Sequence, residues 1–187
     1  GNTFFVSGKV GRQNFDCEVI VADAGSTDRT RDIAESYGCL IVEGGRQARG
    51  RNKGASAASH ELIIFMDADV VLADGFLKNI TSEFQSRNLD LATCCALPLS
   101  SHPADRLAFS LANLVILAAQ WTAPFAHGFF IITRKSFHQK IGGFDETITF
   151  GEDSEYVLRG SRAGRFGVLR GNILASTRRF EKEGRLR

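Results

Sequence analysis

The chain has 187 residues, 43% of them hydrophobic and 24% charged, with a net charge of +2. That length fits one domain with a sizeable core, and the composition excludes a disordered chain and gives no charge-based case for nucleic acid as a partner. Four cysteines without zinc spacing or a disulfide framework, and no secretory signal pattern at the start, make the cytoplasm the expected compartment.

The predicted elements alternate between strand and helix. "CEVIVAD" (residues 17–23) is a compact strand ending in an acid, and Ser26 or Thr27 caps the helix that follows, with Ile33, Ala34 and Tyr37 on one face and Gly38 as its stop. "CLIVEG" is a second strand, "RGRNKGASAAS" a small-residue helix, and "ELIIFMDAD" a third strand. Asp74 caps a helix through Gln85 with Leu77, Ile80 and Phe84 at helical spacing. "LDLATCCAL" is a strand, and "SHPADRLAFSLANLVILAAQW" is a helix with Pro103 at its first position. "GFFIITR" is a strand, "KSFHQKIGG" a short helix, "EDSEYVLRGSRAG" another helix, and "RFGVLRGNILAS" one or two final strands. Continuous apolar strands alternating with helices predict an α/β fold, its mostly parallel central sheet covered by helices on both faces.

Between Arg106 and Arg134 there is no Asp, Glu, Lys or Arg. The stretch is long enough to span a bilayer, yet it carries Asn113, Gln120, Pro124, His127 and Gly128 and reads as a helix followed by a strand. It is a core helix, or one lying against a membrane or a lipid acceptor. Trp121 and Phe125 either fill core or line an acceptor groove; core is the expectation. From Tyr156 onward arginines gather, which suits either a solvated face or an anionic partner.

In sheets of this kind ligands bind beyond the carboxyl ends of the strands, where Asp23, Asp67 and Asp69 stand. In an extended chain Asp67 and Asp69 point to the same side. Two adjacent carboxylates repel unless a cation lies between them, and a hard ion such as Mg²⁺ or Mn²⁺ is the natural partner. "VADAGSTDRT" places a tight glycine turn and a helix start after Asp23. "RGRNKG" supplies Arg51 and Asn52, and "GGFDETITFGEDSEYVLR" brings Glu152 and Asp153 to a helix start.

In this order, "VADAGSTD", "RNKG", "DAD" and "GGFDE…GED" resemble the nucleotide-sugar glycosyltransferases of family 2, with the GT-A fold, over residues 16–163. The resemblance implies that Asp23 contacts the nucleobase, Ser26 and Arg51 lie at the nucleotide, Asp67 sits on the ribose side, and Asp69 holds a Mn²⁺ or Mg²⁺ on the diphosphate. Asp153 is the implied base in an inverting single displacement. It implies a nucleotide-binding half of about residues 11–75 and an acceptor and catalytic half of about residues 76–187 within one domain. The donor is then a nucleoside-diphosphate sugar and the acceptor a saccharide or a lipid-linked molecule, with peripheral contact at the cytoplasmic face of a membrane. Glu152 and His127 are further diphosphate or acceptor contacts; Arg178 and Arg179 either neutralise the diphosphate or form a solvated basic tail.

The sequence departs from the family pattern at Ala24, at Glu155, which stands where the family often has Asp, in having no histidine after His138, and at its start. Ala24 replaces a frequent second acid, and the family's first strand has no counterpart in "GNTFFVSGKV". Two other readings compete: a nucleotidyltransferase of related fold, which would need a glycine-rich loop with a lysine, and a non-catalytic nucleotide-binding member.

Overall fold

The computed structural model describes residues 3–5, 15–126 and 128–177. The strands are β1 (Thr3–Phe5), β2 (Ile20–Asp23), β3 (Leu40–Glu43), β4 (Leu62–Asp67), β5 (Val70–Val71), β6 (Leu91–Pro98), β7 (Phe130–Arg134) and β8 (Phe166–Ala175). The helices are α1 (Thr30–Ser36), α2 (Gln47–Ala57), α3 (Phe76–Ser86), α4 (Pro103–Ala119), α5 (Lys135–Lys140) and α6 (Glu152–Ala163). Among the described residues the strands form one sheet in the order β3-β2-β1-β4-β7-β6-β8-β5. Strands β3, β2, β4, β6 and β8 run one way, with β1, β7 and β5 against them.

The place between β2 and β4, where a first strand had no counterpart in sequence, is occupied by β1, antiparallel to both neighbours. Thr3 pairs with both Ala22 and Asp67, so the ends of β2 and β4 stand at one level. That register brings two acids far apart in sequence to the same sheet edge.

Strand β4 shows why the apolar run becomes a central strand. Ile63 and Phe65 join one core with Ala48 and Ala55 of α2, Phe137 of α5, and Tyr156 and Val157 of α6. Leu62, Ile64 and Met66 join the other with Leu77, Ile80 and Phe84 of α3 and Phe109 of α4. The alternation is the period of a strand buried on both faces. Helices on both faces follow the sequence-based expectation.

Several local expectations are corrected. Helix α1 starts at Thr30 with Arg29 at its N-cap, not at Ser26 or Thr27, and Asp28 accepts the Thr30 amide at 3.0 Å. Of its expected apolar face only Ala34 is buried; Ile33 and Tyr37 are exposed, because the neighbouring β3 is an edge strand with little surface to cover. Helix α3 is entered through Gly75 at φ +71°, not capped by Asp74. That left-handed turn suits glycine. The C-terminal segment, expected as one or two strands, is one strand, β8, with an irregularity opposite Cys94 and Cys95.

Helix α4 begins at Pro103 as expected. It turns Phe109 and Ile116 inward, and Asn113 bonds both the N–H and the C=O of Ala96, in the manner of a neighbouring strand. Its outward face is apolar, with Leu107, Leu111, Leu114 and Val115 exposed. Trp121 is 83% exposed, which corrects its assignment to the core, whereas Phe125 does pack against Cys95, Ile116 and Val168. Among the described residues no helix is long and apolar enough to cross a membrane.

Candidate active site

At the end of β2, Asp23 is buried and its two oxygens accept the Ser26 amide at 3.2 Å each. The Ser26 hydroxyl first, then the Ser26 and Gly25 amides and Arg31, hold its carboxyl below the usual carboxylate range against the opposing effect of burial. The loop after β3 closes over this acid. Gly44 donates to Asp23 O at 2.7 Å, and a Cβ at Gly44 would stand 2.9 Å from the Asp23 backbone. Asp23 and Ser26 therefore form one anchored turn at the sheet edge, separated from α1 by a loop.

At the end of β4 the expectation of a straight run through both acids is corrected. The strand stops at Asp67; the chain turns at Ala68 and Asp69 to deliver β5 to β8, with the Ser176 amide donating to Asp69 O at 3.2 Å. Strand alternation therefore does not set the direction of Asp69. The two carboxylates still feel each other. Burial pushes Asp67 up from its ordinary value, Arg51 pulls it down, and the charges of Asp69 and Asp153 push it up further.

Helix α2 reaches this edge from the side. Arg51 is 1% exposed, and its guanidinium spans three segments: Nη1 donates to Glu152 Oε1 at 2.7 Å, and Nη2 to Gly128 O at 3.2 Å and to Asp67 Oδ1 at 3.4 Å. It lies 5.2 Å from the centre of the Phe144 ring. Its Nε is the one buried side-chain nitrogen or oxygen without a partner among the described residues.

Helix α6 enters through Gly151 at φ +80°, and its first turn carries Glu152, Asp153 and Glu155, where the helix dipole favours anions. Glu152 is buried against Arg51, while Asp153 is partly exposed. The Ser154 amide donates to Asp153 Oδ1 at 2.8 Å, leaving Oδ2 without a hydrogen bond among the described residues. Beside Gly128, the position a Cβ would occupy is 2.8 Å from Asp153 Oδ2 and 3.3 Å from Arg51 Nη2. Glycine is what lets these two side chains approach the loop before β7.

The glycine-rich loop ahead of α6 is tied down from two sides. Asn52 reads the Phe144 backbone as a strand would, accepting its N–H at 2.8 Å and donating to its C=O at 2.8 Å. Arg159, paired with Glu155, donates to Ile141 O and to Gly143 O at 2.7 Å. Beneath them His138 bonds the Tyr156 hydroxyl at 2.9 Å and sits among the rings of Phe65, Phe144 and Tyr156. Burial, helped by Arg159, lowers its pKa to about 4, so it is neutral.

The structure thus brings Arg51, Asp67, Glu152 and Asp153 together, with Asp23 and Ser26 at the neighbouring strand end. His127, Arg178 and Arg179 lie outside the described residues. Sequence reading noted Gly128 only as a family glycine ahead of the strand, and it missed Arg159 beside these residues; the spacing of Glu155 and Arg159, one helical turn apart, was the available signal for the latter. Among the described residues no group of three or more His, Cys, Asp or Glu side chains could hold a metal ion alone. One or two carboxylates with water and phosphate oxygens are the donor set Mg²⁺ or Mn²⁺ needs, and Asp67 at the end of β4 and Asp69 in the turn after it are the carboxylates that would supply it.

Solved structures identify the class of fold. The chain matches Staphylococcus aureus TarS, residues 1–349 in complex with UDP, with a TM-score of 0.68 at 20% identity over 89% of this chain and 54% of that one. It matches the mannosyltransferase PcManGT from Pyrobaculum calidifontis, in complex with GDP-Man and Mn²⁺, with a TM-score of 0.65 at 20% identity over 84% of this chain and 47% of that one. The fold is that of the GT-A glycosyltransferases. The model of Glycosyl transferase family 2 matches residues 9–142, and the chain belongs to that family. It is 27% identical over 165 residues to the uncharacterized glycosyltransferase EpsJ of Bacillus subtilis (strain 168), covering 79% of this chain and 48% of the relative. It has the same identity over the same length to the O-antigen chain rhamnosyltransferase WbaN of Salmonella anatum, covering 52% of that protein. The chain thus spans about half the length of these curated relatives. The family match ends before α6, so the reading of Glu152 and Asp153 rests on geometry and motif.

Proposed function

We propose that this chain transfers a sugar from a nucleoside-diphosphate sugar to an acceptor hydroxyl, with inversion at the sugar and with a divalent metal. The observation that carries the reading is the convergence at Gly128. Without a hydrogen bond among the described residues, Oδ2 of Asp153 faces the loop at the ligand edge of the sheet, beside the carboxylate of Asp67 and the cation of Arg51. A base for an acceptor hydroxyl needs such a carboxylate, oriented but not consumed by hydrogen bonds.

In this reading Asp23 and Ser26 form the nucleobase end of the donor pocket, Asp67 meets the ribose, and Asp69 with Asp67 holds Mg²⁺ or Mn²⁺. Bound there, the ion neutralises charge on the leaving diphosphate. Asp153 takes the acceptor proton as the hydroxyl attacks opposite the leaving group. Attack from that side inverts the anomeric centre, and charge at the sugar develops as in glycoside hydrolysis. The relatives' substrates guide the choice of donors: TarS structures hold UDP or UDP-GlcNAc, and the mannosyltransferase holds GDP-Man. The apolar outward face of α4 from Leu107 onward, ending near Trp121, suits a lipid-linked acceptor at a membrane surface.

The test is a thermal-shift and turnover panel of UDP- and GDP-sugars with Mn²⁺ or Mg²⁺ and a chelator control. Asp69→Ala is expected to remove the metal-dependent shift given by UDP or GDP. Asp153→Asn is expected to keep that shift and lose transfer. Normal turnover by Asp153→Asn refutes the base assignment, and pyrophosphate formation from sugar phosphate and nucleoside triphosphate refutes sugar transfer.

A further inference from the structure

We infer that Arg51 is a positioning residue rather than a donor ligand: its buried ion pair with Glu152 sets the first turn of α6, and with it Asp153, against the end of β4. This rests on the reading of Asp153 as the acceptor's base. An arginine that grips a diphosphate turns its fork of N–H groups toward the ligand. Here the fork is turned into the protein. Both terminal nitrogens are engaged by Glu152, Gly128 and Asp67, and the side chain is 1% exposed.

The partners belong to three segments that must agree for the chemistry to work. Glu152 opens α6, Asp67 closes β4, and Gly128 precedes β7. Glu152 is 5% exposed and adjoins Asp153, so fixing the Glu152 carboxylate at 2.7 Å from Nη1 fixes the start of the helix carrying the base. The Ser154 amide then holds Asp153 Oδ1, which leaves Oδ2 facing Gly128. Phe144 lies against the guanidinium, and the next residue on α2, Asn52, grips the Phe144 backbone. Arg51 and Asn52 thus tie the donor side to the acceptor side from one turn of one helix. A buried ion pair of this kind is weak as a source of net stability but strict in geometry, since removing one partner strands the other charge.

The experiment compares wild type with Arg51→Lys, Arg51→Met, Glu152→Gln and the double variant Arg51→Met/Glu152→Gln. Folding is followed by circular dichroism, binding by the UDP- and GDP-dependent thermal shift with Mn²⁺, and kinetics with the donor the panel identifies. Glu152→Gln and Arg51→Lys are expected to fold, to keep the nucleotide shift and the donor KM within about twofold, and to lower kcat at least tenfold. The double variant is expected to be no slower than Arg51→Met, because the two residues act as a unit. An increase of tenfold or more in donor KM with kcat unchanged, or loss of the nucleotide shift in a folded variant, overturns the proposal in favour of a donor ligand. Additive losses in the double variant also overturn it. Hydrogen exchange separates this from failure of the base assignment. The amides of Ser154 and Glu155 are expected to lose protection in Glu152→Gln even if Asp153→Asn turns over normally, and unchanged protection there overturns the clamp itself.

Discussion

Replacing Gly128 by alanine tests the geometry around Asp153 with a single added methyl group. The new Cβ would lie 2.8 Å from Asp153 Oδ2, where ordinary contact begins at 3.4 Å, so the oxygen retreats by about 0.6 Å. It cannot retreat freely, because the Ser154 amide holds Oδ1 at 2.8 Å and Arg51 Nη2 lies 3.3 Å from the same methyl. The carboxylate therefore twists out of line with an attacking hydroxyl. A 1 Å error in such a position costs about 10²-fold, so kcat is expected to fall roughly 10- to 50-fold, about 1.4–2.3 kcal/mol at the transition state. Stability moves much less. Gly128 has no positive φ, so alanine fits its backbone. The twisted carboxylate costs about 1 kcal/mol, and the stiffer unfolded chain returns about 0.4–1 kcal/mol, leaving Tm within about 3 °C. The assay is nucleoside-diphosphate release at saturating donor and acceptor, with donor KM and a thermal melt alongside. Wild-type kcat in a folded variant would show that Oδ2 is not the reacting atom. A raised donor KM with kcat intact would assign the glycine to the nucleotide instead.

Three further outcomes follow from charge and exposure. Asp67 has its folded-state pKa above the unfolded value of 3.8, chiefly through burial, so its ionisation works against folding at neutral pH and that penalty fades as pH falls toward 3.8. Asp67→Asn is expected to raise the Tm of the ligand-free protein at pH 7, by about 2–4 °C per kcal/mol relieved, with a gain that shrinks on acidification and with loss of the UDP or GDP shift; Arg51 keeps Glu152 as its partner in that variant. His138 has its pKa lowered from 6.5 to about 4 by burial and by Arg159, so stability is unaffected above 6.5 and is lost progressively as pH falls from 6.5 toward 4. The loss reaches about 3 kcal/mol, and His138→Asn is expected to remove that part of the urea-midpoint slope; parallel slopes would refute it. The chain has one tryptophan, Trp121, 83% exposed at the end of α4. Vesicles containing anionic lipid are expected to shift its emission to the blue, and an unshifted spectrum with no co-flotation would remove the membrane reading of α4.

The parts of this fold that were legible in sequence are those set by local period. Strand β4 announces itself because its apolar side chains serve two cores in turn, and an acid ends it where the sheet meets solvent. Helix α4 was legible as a helix from Pro103 onward, but not its exposure. Nothing in an uncharged, leucine-rich stretch says that Phe109, Asn113 and Ile116 make the inward face. The helix after Asp23 was misplaced because Ser26 serves the turn of Asp23, so the cap expected from its residue type is used elsewhere. The straight run expected through Asp69 fails because the chain must leave the strand to pair with β8, a demand made by residues about a hundred positions later.

The same distinction separates the acids of the site from the residue that organises them. Asp23 and Asp67 could be read from the ends of two apolar runs, and the antiparallel pairing of Thr3 with both Ala22 and Asp67 levels them. Arg51 could not be read in this way. Its hydrogen-bond partners lie 16, 77 and 101 residues away, and an arginine in a polar helix segment is ordinarily solvated. Its burial follows from the small residues around it: Gly50 and Ala48 let α2 approach the sheet, and Gly128 lets the opposite loop approach α2. The long cation then fills the space those residues leave, and the carboxylates of β4 and α6 are what make a charge tolerable there. The ends of β4 and α6 are joined by a charge buried between them, so the position of Asp153 is set by contacts with α2 and β4 as much as by its own helix.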